Sequence, residues 1–416
     1  MNILLVGATG FVGGHLLRAL QQAGHHVIAT CREPRSQGWP GVEWRALDLG
    51  LLAADPEGFD FPQSVDVLIN AAGLLSVDAV QLSRVQDQGA RALFDLAARR
   101  GVRVLQISAL GASVQSGVPF LASKGLADDY LLGLGLPSVV LRPSLVVGEG
   151  GASSAWLAGL SPWPLIPLLD LNAQAQPVHI DDLVAAVLAL LRRWPGESMV
   201  LPLVGPEPMR LSQVIDHLRA AQGWGPGRYV QAPLLGVGGW LGDRLGWRAL
   251  NRQSIALAQQ DNVADPGVLA SVCGYRAAPL SSRLQDWPMA AVSSQHTIRP
   301  LMLAVLVLIW LGTAAVCLGP GYDWGLRIMA EAGVQGAWAT VAVIAGAVCD
   351  GLLGLGLLFA RWRRHALILQ LLLMSGYTLC ISLVLPHYWF DPYAAVAKNL
   401  VLMVATLWLL WNEPRR

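Results

Sequence analysis

The sequence is poor in charge, in paired cysteines and in long basic runs. Charged residues make up 14% of its 416 residues and the formal net charge is +1, so it carries no electrostatic footprint for nucleic acid. Its five cysteines, Cys31, Cys273, Cys317, Cys349 and Cys380, are scattered without a CxxC pair. That spacing argues against a disulfide framework and a zinc site, and it suits a reducing compartment. The opening MNILLVGATG has neither a positive n-region nor a long apolar h-region, so a first strand is expected there rather than a secretory signal.

What the chain has instead is apolar residues, 54% of the total, concentrated after Arg299. With roughly 100 to 200 residues per domain, the length predicts two or three units, and the asymmetry predicts a soluble body with a membrane tail. Four apolar spans follow, at 301–319, 336–359, 366–385 and 394–411. The first three meet the roughly 20 residues a membrane helix needs. The fourth is weaker, because Lys398 and Asn399 lie inside it. Asp350 falls well within the second span, where an ionisable group marks a proton path, a ligand or an interhelical partner such as Lys398. Beside it, GLLGLG (351–356) permits close helix packing. The basic segments RWRRH (361–365) and the terminal EPRR contrast with connections of little net positive charge. The expectation is an integral protein of the inner (cytoplasmic) membrane, with the N-terminal domain and the C-terminus cytoplasmic.

The body begins as NILLV, GATGFVGG, the amphipathic HLLRALQQAG and then HHVIAT, the order of one βαβ unit. Apolar runs at VDVLINAAG, VRVLQISA and PSVVLRPSLVVG alternate with helical stretches. This predicts an α/β fold with a Rossmann-type, doubly wound parallel sheet over residues 1–292, of which about 150–292 form a small substrate lobe. A linker at 293–300 and an all-α transmembrane four-helix bundle at 301–416 complete the organisation. Within the lobe, 156–169 and 233–247 are rich in Trp, Leu and Gly or Pro. They read as pocket lining, as segments dipping into a bilayer interface, or as ordinary core.

Gly7, Gly10 and Gly13, with Thr9, Phe11 and Val12 between them, follow a strand and open a helix. The first glycine supports a tight turn, the second admits a pyrophosphate and the third allows close helix packing, which predicts dinucleotide binding. About 20 residues on, where an acidic residue would hold the ribose of NAD, stand Thr30, Cys31 and Arg32. With no carboxylate to repel a 2′-phosphate and a forked donor to receive one, NADP(H) is favoured over NAD(H). His179, Asp181 and Asp182 have the residue types of a metal or acid-base cluster.

In order along residues 1–290, GATGFVGGHL, Asp48 with Leu49, NAAG (70–73), ISALGA (107–112), SKGLADDYL (123–131), LRPSLVVG (141–148) and PVHIDDLVAAV (177–187) resemble the short-chain dehydrogenase/reductase superfamily. The extended and atypical branches are the most similar, including the group of the NADPH-binding accessory subunit of respiratory complex I, which QSIALAQQDNVAD (253–265) also resembles. The resemblance implies Asp48 near the adenine, Ala71, Ala72 and Gly73 along the adenosine, Ser108 near the nicotinamide, and Pro143 with Ser144 beside its ring. At His179, Asp181 and Asp182 it implies a strand-to-helix junction, with an Asp capping the helix and no metal. It also implies a helix carrying Tyr-x-x-x-Lys, in which Tyr moves the proton, Lys holds the ribose and the preceding Ser polarises the carbonyl. Ser108 and Lys124 are present, but the tyrosine position is Phe120, and Tyr130 lies nearly three turns further on. The tail resembles the DoxX-like membrane family.

The leading expectation is therefore an NAD(P)-dependent oxidoreductase, acting on a small apolar, membrane-derived substrate or a quinone, with water or Ser123 as proton source or an acceptor protonated from solvent. The competing expectation is a non-catalytic NADPH sensor or assembly factor. A third makes the membrane bundle a proton or solute path through Asp350.

Overall fold

The computed structural model describes residues 1–33, 39–76, 78–232, 239–240, 243, 252–285, 287, 293–392 and 394–413. It divides into two compact units, Met1–Ser293 and Ser294–Arg416. Most of the 233–247 stretch and the last residues of EPRR lie outside the described residues.

The first unit is built on seven parallel strands: β1 (Asn2–Val6), β2 (His26–Cys31), β3 (Val42–Ala46), β4 (Val67–Asn70), β5 (Arg103–Ile107), β6 (Ser138–Pro143) and β7 (Met199–Leu203). Their spatial order is β7-β6-β5-β4-β1-β2-β3, the Rossmann order extended by one strand, with its switch point between β1 and β4. The apolar runs are explained by burial on both faces. In β1, Ile3 and Leu5 enter one core with α1 (Phe11–Gln22) and α6 (Ile180–Arg192), and Leu4 and Val6 enter the other with α3 (Gly89–Arg99) and α4 (Pro119–Gly133). A period of two residues thus feeds two cores.

Beyond β6, α6 and β7 return to the main sheet and its core, so the expected lobe of 150–292 is interrupted, and much of the remainder forms it. Ile166–Leu168 pair in parallel with Tyr229–Gln231, and α5 (Ala152–Leu160) and α7 (Leu211–Ala220) close a third core around Leu157, Ile166, Ile215 and Leu218. Asn262 bridges to Ala175, and its carbonyl accepts from the Gln176 N–H, which ties 253–265 back to the lobe.

The second unit holds α8 (Arg299–Leu318), α9 (Tyr322–Glu331), α10 (Ala337–Leu358), α11 (Arg363–Val384) and α12 (Ala395–Trp411). Among the described residues three helices are long and apolar enough to cross a membrane: Ser294–Leu318, Ala337–Leu358 and Arg363–Val384. Val396–Trp411 is apolar but shorter. Residues 294–298, within the expected linker, are a π-helical turn running into α8. The helix α9 falls in a connection that the sequence left without structure. A Cβ at Gly354 would come within 2.9 Å of the Leu311 side chain, and at Gly356 within 3.1 Å of Ala366, so the glycines of 351–356 let α8 and α11 approach α10. Asp350 is buried on α10 with Oδ1 unpartnered among the described residues, and no ion pair there joins it to the exposed Lys398.

Candidate functional site: a dinucleotide cradle without its hydroxyl

The glycine loop leaves the C-terminal end of β1 and enters α1. Gly7 has φ +80°, and a Cβ there would lie 2.7 Å from the Ala72 nitrogen, so the loop presses on the 71–72 backbone at the end of β4. A Cβ on Gly13 would stand 2.1 Å from the Gly7 carbonyl oxygen, and one on Gly10 3.2 Å from the same atom. Gly10 is the N-cap of α1 and provides no side-chain bond, and the first turn has no acidic residue. The first-turn N–H groups and the positive end of the helix dipole are therefore left for an anion. Thr9 and Gly10 are exposed, Phe11 packs edge-on to His15 and beneath Gly151, and Val12 packs into the core. The residues present fit a pyrophosphate.

Arg32 is exposed directly after β2. Asp48 caps the short helix α2 (Leu49–Leu52), its Oδ1 accepting from the Gly50 N–H at 2.7 Å. Ala71, Ala72 and Gly73 continue from β4, and Asn70 holds that turn by accepting from the Ala72 N–H at 3.2 Å and donating to Gln106 at 2.8 Å. Pro143 ends β6 and its carbonyl accepts from the Leu110 N–H at 2.8 Å. Ser144 is buried and its hydroxyl donates to the Asn262 carbonyl at 3.1 Å. A cavity of about 490 Å³ beside the loop is lined by Thr9, Gly10, Arg18, Trp39 and Trp44, and includes none of Ser108, Phe120 or Lys124.

Outside that cavity, by the C-terminal end of β5, Lys124 is buried on α4, four residues after Phe120, whose ring centroid lies 5.7 Å from Nζ. Nζ donates to the Ile107 carbonyl at 3.0 Å, which leaves further hydrogens for a ribose. Burial lowers its pKa to about 8, against the opposing pull of Asp128. Ser108 is 4% exposed, and its hydroxyl donates to Asp128 Oδ2 at 2.6 Å. Asp128, one turn beyond Lys124 and fully buried, also accepts two bonds from Arg142, at 3.0 and 2.9 Å. Burial raises the Asp128 pKa, while Ser108, Arg142 and Lys124 oppose the rise. As placed, the Ser108 hydrogen is committed to Asp128 and not offered to an acceptor carbonyl. Ser123 donates to the Phe120 carbonyl at 3.0 Å and accepts from Gln86 at 3.2 Å.

The sequence reading missed Asp128, Arg142 and Asn262. The first had a signal, because it lies at i+4 from Lys124 on the same helix face. At the 177–187 junction the cap is His179, which accepts from the Asp181 N–H at 3.3 Å, not an aspartate. Asp182 is instead fully buried, accepting from Tyr275 at 2.6 Å and Arg283 at 2.7 Å. Burial and that bond to Asp182 raise the Tyr275 pKa.

A parallel Rossmann sheet with a glycine cradle at its switch point defines a nucleotide-binding domain. Residues 3–201 match the NAD dependent epimerase/dehydratase family and residues 305–407 the DoxX-like family. The chain thus carries an NAD(P)-binding, short-chain dehydrogenase/reductase-like domain followed by a DoxX-like membrane domain. It is similar to a ceramide reductase of Caulobacter vibrioides, 30% identical over 196 residues, 46% of this chain and 61% of that one. It is also 28% identical over 241 residues to the mitochondrial NADH dehydrogenase (ubiquinone) 1 alpha subcomplex subunit 9 of Arabidopsis thaliana, covering 55% of this chain and 59% of that one. The chain spans about three fifths of the length of these curated relatives. The UDP-glucose 4-epimerase of Bifidobacterium longum, solved with NAD+ and UDP, shares the fold with a TM-score of 0.54 at 16% identity, covering 72% of this chain and 99% of that one.

Proposed function

We propose that this chain is a membrane-bound, NADP(H)-dependent oxidoreductase that reduces a carbonyl or quinone acceptor on an apolar, membrane-derived molecule. The observation that carries this reading is Lys124. An ammonium held in a buried position at a lowered pKa works against stability, and its hydrogens face the cleft end of β5, where a nicotinamide ribose is held in this fold class. The glycine loop would hold the pyrophosphate, and Arg32, the residue directly after β2, supports NADP(H). The bound cofactor would supply the hydride. Likeness to a ceramide reductase supports a lipid carbonyl as the acceptor, and attachment to membrane helices would concentrate such a substrate at the domain.

A second reading, an NADP(H) sensor or assembly factor, is favoured by Phe120 and by the Ser108 bond to Asp128, and by likeness to a respiratory complex subunit. Single turnover of the full-length protein in detergent decides between them. Preloaded NADPH should be oxidised faster than free NADPH when lipid carbonyls or quinones are added. Tight binding of NADPH with no oxidation across both acceptor classes would favour the second reading. Arg32→Ala should weaken NADPH binding and leave NADH binding unchanged, and equal losses for both would remove the case for NADP(H).

A further inference from the structure

The first unit ends at Ser293, and the hydrogen bonds around that residue lead to an exposed aromatic surface. The buried Ser293 hydroxyl donates to the Ala158 carbonyl at 2.7 Å and lies 3.2 Å from Gln222 Oε1. Gln222 donates to the Ser161 hydroxyl at 2.8 Å. The Arg219 guanidinium donates to the Ser161 carbonyl, to the Trp163 carbonyl at 3.4 Å and to the Gly225 carbonyl at 2.7 Å, and lies 5.6 Å from the Trp224 ring centroid. One guanidinium therefore holds both the turn after α5 and the turn after α7, at the point where the chain leaves the unit.

Those two turns present Trp163, 43% exposed, Leu165, 50% exposed, and Trp224, 40% exposed. Arg228, whose carbonyl accepts from the Ile166 N–H at 2.8 Å next to Leu165, is also exposed. The nearby acid, Asp216, is engaged by the Gly227 N–H at 2.8 Å and the Tyr229 hydroxyl at 2.7 Å. Exposed indole and leucine beside arginine is the composition of a membrane–water interface, where the ring sits at headgroup level and the cation meets phosphate.

Chain continuity identifies the occupant. The next residue, Ser294, opens the apolar helix that runs to Leu318. At roughly 1.5 Å per residue, the polar start at 294–299 spans only about 9 Å before that helix turns apolar. Ser293 is covalently joined to the start of that helix, so the lobe and its exposed Trp and Leu residues are tethered to whatever bilayer the helix enters.

We propose that Trp163, Leu165 and Trp224, flanked by Arg219 and Arg228, form an interfacial anchor that seats the lobe on the lipid bilayer. This inference does not rest on turnover and holds for either reading of the function. The test uses the full chain in vesicles of phosphatidylethanolamine and phosphatidylglycerol with acyl chains brominated near the headgroup. The double variant Trp163→Phe/Trp224→Phe keeps aromatic packing while deleting both reporters. Its subtraction from the parent should isolate indole emission that bromolipid quenches and aqueous iodide does not. Two outcomes overturn the proposal: the isolated emission is quenched by iodide and not by bromolipid, which leaves the patch in water, or by neither, which puts protein over it.

Discussion

Replacing Lys124 by methionine separates what the site costs from what it does. Burial lowers the pKa of this lysine from 10.5 to about 8. At about 1.36 kcal/mol per pH unit, the charged form is disfavoured by roughly 3 kcal/mol. Its folded pKa lies below the unfolded value, so between about pH 8 and 10.5 the unfolded chain binds more protons and stability rises with pH across that window. At neutral pH the penalty is present in full. Lys124→Met should therefore stabilise the first unit there by up to roughly 2 kcal/mol, after about 1 kcal/mol for the lost bond to Ile107. Dinucleotide binding makes the opposite demand, because ribose and phosphates favour the ammonium. For a ligand that selects the protonated form, affinity should fall about tenfold between roughly pH 7 and pH 9, and the methionine variant should bind weakly at both. The assay is NADPH fluorescence titration of the full-length protein, with NADH in parallel to remove any titration of the 2′-phosphate, alongside thermal melts. An affinity for both cofactors that stays flat to pH 9, or a methionine variant that is less stable at pH 7, would refute the reasoning.

Gly13→Ala places a Cβ 2.1 Å from the Gly7 carbonyl, so the loop must open. The strain should cost roughly 1–3 kcal/mol and abolish saturable NADPH binding at micromolar protein, as read by the same titration. Phe120→Tyr restores a phenol beside Lys124 and should raise single-turnover NADPH oxidation by roughly 100- to 10,000-fold with affinity unchanged. No gain with a known acceptor would mean that the phenol does not reach the reacting oxygen. Asp128→Asn removes a fully buried carboxylate from Arg142 and Ser108 and should destabilise the first unit by roughly 3–5 kcal/mol, measured by its thermal transition.

The sheet and the glycine cradle were legible because their chemistry is local in sequence. Four or five apolar residues that feed two cores leave no alternation, which marks a strand covered on both faces, and the spacing of Gly7, Gly10 and Gly13 encodes backbone contacts within one turn. What could not be read is what depends on docking between distant elements. Ser108 and Asp128 are 20 residues apart, and only the seating of α4 against β5 turns one hydroxyl onto one carboxylate. Asn262 reaches Ser144 across 118 residues. The helix α9 escaped because it is amphipathic and too short to resemble a span. His179 displaced an expected aspartate cap because Asp182 faces inward and is held there by Tyr275 and Arg283.

These long-range bonds bear on the chemistry that the cradle can support. Ser108 is committed to Asp128, Ser123 to the Phe120 carbonyl and Ser144 to the Asn262 carbonyl, so these three serines already donate their hydrogens within the fold. Phe120 has none to give. Lys124 keeps hydrogens beyond its bond to Ile107, and in the proposed reading its ammonium serves the cofactor. Under the proposed reductase reading, the reduced oxygen of the acceptor would take its proton from water, and such an acceptor must lie where water reaches it. A quinone head group or a lipid carbonyl at the headgroup layer meets that condition, whereas a carbonyl enclosed in a dry pocket does not.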